Sequence, residues 1–151
     1  MTASAPSRKR TAYQFVVPNS ELAPKTGRDL IATLLAITGH PSLIDAARLC
    51  VSEVITHSYL HTPTARLHVD VSVRPGHVSV AVRDDEWPER PASASCGVKL
   101  DEGRGRGFLL LSRLSAEWGV VTWPTAEEGC VHKRVWFTLD EVALGEAASA
   151  A

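Results

Sequence analysis

The chain carries almost no net charge: 16 Lys and Arg are set against 17 Asp and Glu, for a formal value of -1. Broad electrostatic attraction to nucleic acid or to an anionic membrane surface is therefore not expected. The basic run Arg8-Lys9-Arg10 lies in a Ser-, Ala- and Pro-rich start and reads as part of a solvated tail over residues 1–11. No apolar run is long enough to span a bilayer, and no signal-peptide core follows Met1. The expectation is a cytoplasmic protein. Cysteine is scarce: Cys50, Cys96 and Cys130 are odd in number, far apart and without a Cys-x-x-Cys pair. That pattern fits reduced thiols better than a disulfide framework or a structural zinc site.

With 151 residues, 44% hydrophobic and 22% charged, the chain has the size and composition of one soluble globular domain. We place that domain at residues 12–140, with residues 141–151 as an Ala-rich short helix or frayed tail. Ala12 to Val17 has strand composition and stops at Pro18, as an edge strand does. Leu30, Leu34 and Ile37 recur at helical spacing, with Asn19 and Ser20 as cap candidates and Gly39 as the stop. A second helix runs from a Ser42 cap to Thr62-Pro63. Leu67 to Val73 and Val78 to Val82 alternate apolar and polar residues about a Pro75-Gly76 turn, which predicts a hairpin with one wholly apolar face. Its other face carries His68, Asp70, Ser72, Ser79 and Arg83. A helix ending at Trp118-Gly119 and strands over Val120–Trp123 and Lys133–Leu139 complete the order. The expected fold is α+β: a two-layer sandwich whose mixed, mainly antiparallel sheet is covered on one face by helices.

Chemistry-bearing residues cluster in four places. On the second helix Ala46, Cys50, Glu53, His57 and His61 form one stripe, beside a mostly apolar face of Ala47, Val51, Val54 and Ser58. Glu53 is either a general base or a surface carboxylate paired with a neighbouring cation. His57 and His61, one turn apart, can also be read with Glu53 as a transition-metal site, although no further ligand stands at a recognised zinc spacing. Asp84, at a strand end, suits either a turn cap or an acceptor for a ligand's amino group. Residues 86–102 lack a consistent period and read as a functional loop. Then Gly103-Arg104-Gly105-Arg106-Gly107 opens a helix. Its glycines allow close backbone approach to an anion, and its arginines offer bidentate contacts; the other reading is a flexible hinge. No Gly-Lys-Ser/Thr follows, so it is not a P-loop.

Taken in order, these blocks resemble a known family. Ala46-x-x-Leu49-x-Val51-Ser52-Glu53-Val54-x-Thr56-His57-x-x-x-His61 resembles the N-box helix of the bacterial anti-sigma-factor serine kinases, within the Bergerat-type, histidine kinase-like ATPases. Val80 to Asp85 resembles the strand with the adenine-binding Asp, Gly105 to Leu111 the second glycine box with Trp118-Gly119-Val120 as its continuation, and His132 to Phe137 the closing strand. The blocks span about residues 12–140. The resemblance implies a Bergerat fold that binds ATP and Mg²⁺. It implies Glu53 as the base that activates a substrate serine and Asp84 as the adenine contact. Arg104, Gly105, Arg106, Gly107, Phe108 and Lys133 would contact nucleotide, with residues 86–104 as the ATP lid. Its implied partners are a sigma factor and a small antagonist protein phosphorylated on serine, with a homodimer as the expected assembly.

Two positions depart from the family pattern. His57 stands where the family has the Asn that ligates Mg²⁺, and imidazole suits this hard, oxygen-preferring ion poorly. The ring can instead contact nucleotide phosphate directly. Glu86 occupies the usual glycine of the first glycine box and is followed by Trp87, which adds bulk and charge beside the adenine position. Two readings follow: a serine-protein kinase of a partner-switching pathway, or a degenerate regulatory module with weak, metal-independent or absent ATP binding.

Overall fold

A computed structural model describes residues 9–85, 108–124 and 131–149. Strand β1 (Thr11–Pro18) leads to helix α1 (Ala23–Ile37), a 3₁₀ turn (Pro41–Leu43) and helix α2 (Ile44–His61). Strands β2 (Arg66–Arg74) and β3 (His77–Asp84) form the hairpin, and helix α3 (Leu109–Leu114), strands β4 (Glu117–Pro124) and β5 (Val131–Asp140) and helix α4 (Glu141–Ser149) follow. The five strands form one sheet in the order β1-β2-β3-β5-β4, antiparallel at every pairing. The expected parallel component is thus not found among the described strands. None of the described helices is long and apolar enough to cross a membrane.

Strand alternation decides which face is covered. Leu67, Val69, Val71 and Val73 of β2 and Val78, Val80 and Val82 of β3 join Val135, Phe137 and Leu139 of β5 in the core. Ile31 and Leu35 of α1, with Ala47, Cys50, Val51, Val54 and Ile55 of α2, pack on them from one side. The two helices approach closely at Gly27, where a Cβ would lie 2.3 Å from Ile55 Cδ1. The turn between β2 and β3 needs glycine for a different reason, since Gly76 has φ 71°.

Three local expectations are corrected. The N-cap of α1 is Leu22, while Asn19 donates to the carbonyls of Thr62 and Thr64 and so ties β1 to the end of α2. Ser42 does not cap α2: a 3₁₀ turn precedes the helix, and the Ser42 hydroxyl donates to Glu141 instead. Trp118 and Gly119 do not end a helix but lie inside β4. Trp118 packs against the core, and Gly119 is buried opposite Trp136, whose indole occupies the space a Cβ would need. Helix α4 is anchored at its first turn, where the Glu141 amide donates to the Gly76 carbonyl at 3.0 Å.

Candidate functional site

The C-terminal half of α2 passes over the ends of β3 and β5 and the start of α3. Its packing side is fixed by Val51, Val54, Ile55 and Ser58, all buried. Helical geometry then leaves Glu53 and His57 half-buried on the flank and His61 exposed.

Glu53 reaches α3. Its carboxylate accepts the amides of Leu110 at 3.3 Å and Leu111 at 3.1 Å, two of the donors that a first helical turn leaves without intrahelical partners. Burial raises the Glu53 pKa above its usual 4.5, while the α3 amides oppose the rise. One turn earlier, burial pushes the Cys50 thiol up to about 12, with the Glu53 charge adding to the effect. Cys50 is a core residue, not a nucleophile.

His57 meets Lys133. The ammonium of Lys133 donates to His57 Nε2 at 3.2 Å, which assigns the neutral tautomer with its proton on Nδ1. The same ring packs on Phe108 and His61, with centroids 4.7 and 4.6 Å away. Phe108 in turn contacts Trp118 and is buried, so its side chain belongs to the wall of the core.

Asp84 completes the group. It sits at the end of β3 on the helix-covered face, only 4% exposed. Oδ2 accepts from His132 Nδ1 at 3.1 Å and from the Lys133 amide at 3.2 Å. Oδ1 is buried and has no hydrogen-bond partner among the described residues. An acceptor in that state costs on the order of 1–3 kcal/mol of desolvation unless a donor reaches it. Asp85, next along, turns outward to Arg66 and His68, which lower its pKa.

Glu53, His57, Phe108, Asp84 and Lys133 are thus joined through contacts along one edge of the helical layer. Arg104, Gly105, Arg106 and Gly107, and the lid assigned to residues 86–104, lie outside the described residues. The chain matches no protein-family model and no curated protein. Sequence reasoning missed the role of His132 in holding Asp84 and the use of the α3 amides by Glu53. The first follows from strand register: β3 and β5 pair antiparallel up to Arg83 opposite Arg134, which brings the start of β5 beside Asp84. The second had no sequence signal, because it depends on where α3 docks.

The donor set does not suit a divalent metal. His57 Nε2 faces an ammonium, and among the described residues no group of three His, Cys, Asp or Glu side chains is placed to hold a metal ion. That also counts against the transition-metal reading of Glu53, His57 and His61.

Proposed function

We propose that the chain is an ATP-binding regulator of the anti-sigma-factor type, built on the Bergerat ATPase fold. In this reading it acts in the cytoplasm as a serine-protein kinase on the antagonist protein of a partner-switching pathway. The observation that carries the reading is Asp84: one carboxylate oxygen is held by two N–H groups, and the other is buried with no donor among the described residues. An exocyclic adenine amino group is a donor of the kind Oδ1 lacks, and loss of that hydrogen bond discriminates strongly against bases without it.

The other residues then take defined parts. Lys133 supplies positive charge to the phosphates where Mg²⁺ does not fit, and His57 orients its ammonium. Glu53 accepts the proton of the substrate serine as the serine oxygen bonds to the terminal phosphorus and the bridging P–O bond breaks towards ADP. Its raised pKa makes it a better proton acceptor than an exposed carboxylate. A carboxylate has about four lone-pair sites, and the α3 amides use two.

One observation favours a second reading, a regulatory module that binds a sigma factor or antagonist without transferring phosphate. Both Glu53 oxygens already hold α3 in place, a structural duty that needs no chemistry. Calorimetry with ATP and ADP, in Mg²⁺ and then in excess EDTA, tests the nucleotide site. Binding that persists in EDTA supports the Lys133 arrangement. Absence of binding in both conditions overturns the nucleotide reading and leaves the protein-binding module. Phosphate transfer to a candidate antagonist separates the two when nucleotide does bind.

A further inference from the structure

The sheet has a second face, and the described helices leave it uncovered. Strand register places Gln14, Asp70, Ala81, Trp136 and Gly119 in one row across it. The rows on either side bring Ala12, Ser72 and Ser79, and His68, Arg83 and Arg134. Small side chains at Ala12, Ser72, Ser79 and Ala81 therefore stand among tall ones. The result is a hollow of about 340 Å³ whose rim includes Arg10, Gln14, Asp70, Arg134 and Trp136, within the size range of small-molecule sites.

Its charges are unbalanced. Asp70 accepts from Gln14 at 3.0 Å and forms an ion pair with Arg83 at 3.0 Å, so both its oxygens are engaged. Arg10 donates to the Ser72 hydroxyl. Arg134 is half-buried, and its guanidinium makes no hydrogen bond or ion pair among the described residues. Burial lowers its pKa, as expected of a desolvated cation, with Arg83 adding to the fall and Asp70 opposing it. Two guanidinium groups, Arg10 and Arg134, thus line the hollow with one carboxylate, Asp70, that Arg83 already engages from outside it. Beside them the Trp136 indole, lying over Gly119, offers a flat apolar surface.

We propose that this hollow is a binding site for a small ligand that joins a carboxylate or phosphate group to a flat apolar body. Arg134 receives the anion in the bidentate geometry a guanidinium favours, and Trp136 receives the flat body. The site lies on the face opposite Glu53, His57 and Asp84 and does not rest on the nucleotide reading.

The test uses the full chain and four probes: 2-naphthoate, 2-naphthyl phosphate, the neutral 2-naphthalenemethanol and inorganic phosphate. Binding is followed by amide chemical shifts and calorimetry. At least one naphthyl anion should bind about tenfold or more tightly than both the alcohol and inorganic phosphate, a difference in the range of one charged hydrogen bond. Shifts should centre on Ala81 and Trp136, and the better of the two anions identifies the group preferred. Arg134→Met should weaken that anion about tenfold or more. Ala81→Leu, which fills the floor of the hollow, should abolish binding, and each variant's fold is verified by its amide spectrum. Should Arg134→Met fail to fold, Ala81→Leu and loss of anion affinity in raised salt decide the matter. Equal binding of the alcohol, indifference to the folded variants, or no naphthyl anion binding would overturn the proposal.

Discussion

The Lys133 ammonium donates to His57 Nε2 at 3.2 Å, across 76 residues of sequence. This contact places a fixed organic cation beside the position where the proposed kinase reading would expect a metal-ligating amide. Lys133→Met should therefore weaken ATP binding in EDTA by about tenfold or more, the scale of losing one charged hydrogen bond to phosphate. His57→Asn introduces an oxygen ligand and, on the proposed reading, should make binding gain from Mg²⁺. Calorimetry on both variants checks this, and unchanged affinity in Lys133→Met would place the phosphates elsewhere.

Asp84→Asn should retain the fold while losing nucleotide. The amide keeps one oxygen for His132 and the Lys133 amide, but its NH₂ then faces the donor that Oδ1 is proposed to accept. A stability loss of about 1–3 kcal/mol is expected, together with loss of ATP binding at millimolar concentration. Thermal unfolding and calorimetry on one preparation separate the two effects.

For Glu53 the sign of the pH effect follows from burial. Its folded pKa is raised above the usual 4.5, so its contribution to stability is fully present below the unfolded value and is lost as pH rises through the folded one. The stability of the native chain relative to Glu53→Gln should accordingly fall from acid towards neutral pH. Carboxyl NMR should show Glu53 titrating above an exposed glutamate. Phosphate transfer should fade as pH drops through the same raised value.

Gly27→Ala tests the contact of α1 with α2. The new Cβ would meet Ile55 Cδ1 at 2.3 Å and Val51 Cγ1 at 3.1 Å, an overpacking expected to cost about 1–3 kcal/mol. Adding Ile55→Val removes the Cδ1 atom and should recover part of the loss. A double-mutant cycle by urea unfolding measures that coupling.

Much of the fold was legible because burial imposes short periods on sequence. The alternation from Leu67 to Val82 identified the hairpin and both its faces, and helical spacing placed Glu53 and His57 together on the flank of α2. Helix starts were misread at Asn19 and Ser42, because both side chains serve tertiary partners instead of caps. Trp118-Gly119 was misread as a helix end, because glycine there answers to Trp136 on the neighbouring strand. The links from Asp84 to His132 and from His57 to Lys133 were not legible. They depend on β5 pairing with β3, and no local pattern announces a partner so far along the chain.

That strand order also bears on how the protein comes into being. β5 lies between β3 and β4 although it follows both in sequence. Until it inserts, β3 presents an open edge, and Asp84 lacks the groups that hold it from 48 and 49 residues downstream. During synthesis, this part of the candidate site cannot form until β5 has left the ribosome. A nascent chain released before that point would lack the contacts that hold Asp84 and would be prone to pair its exposed strand with a neighbour's.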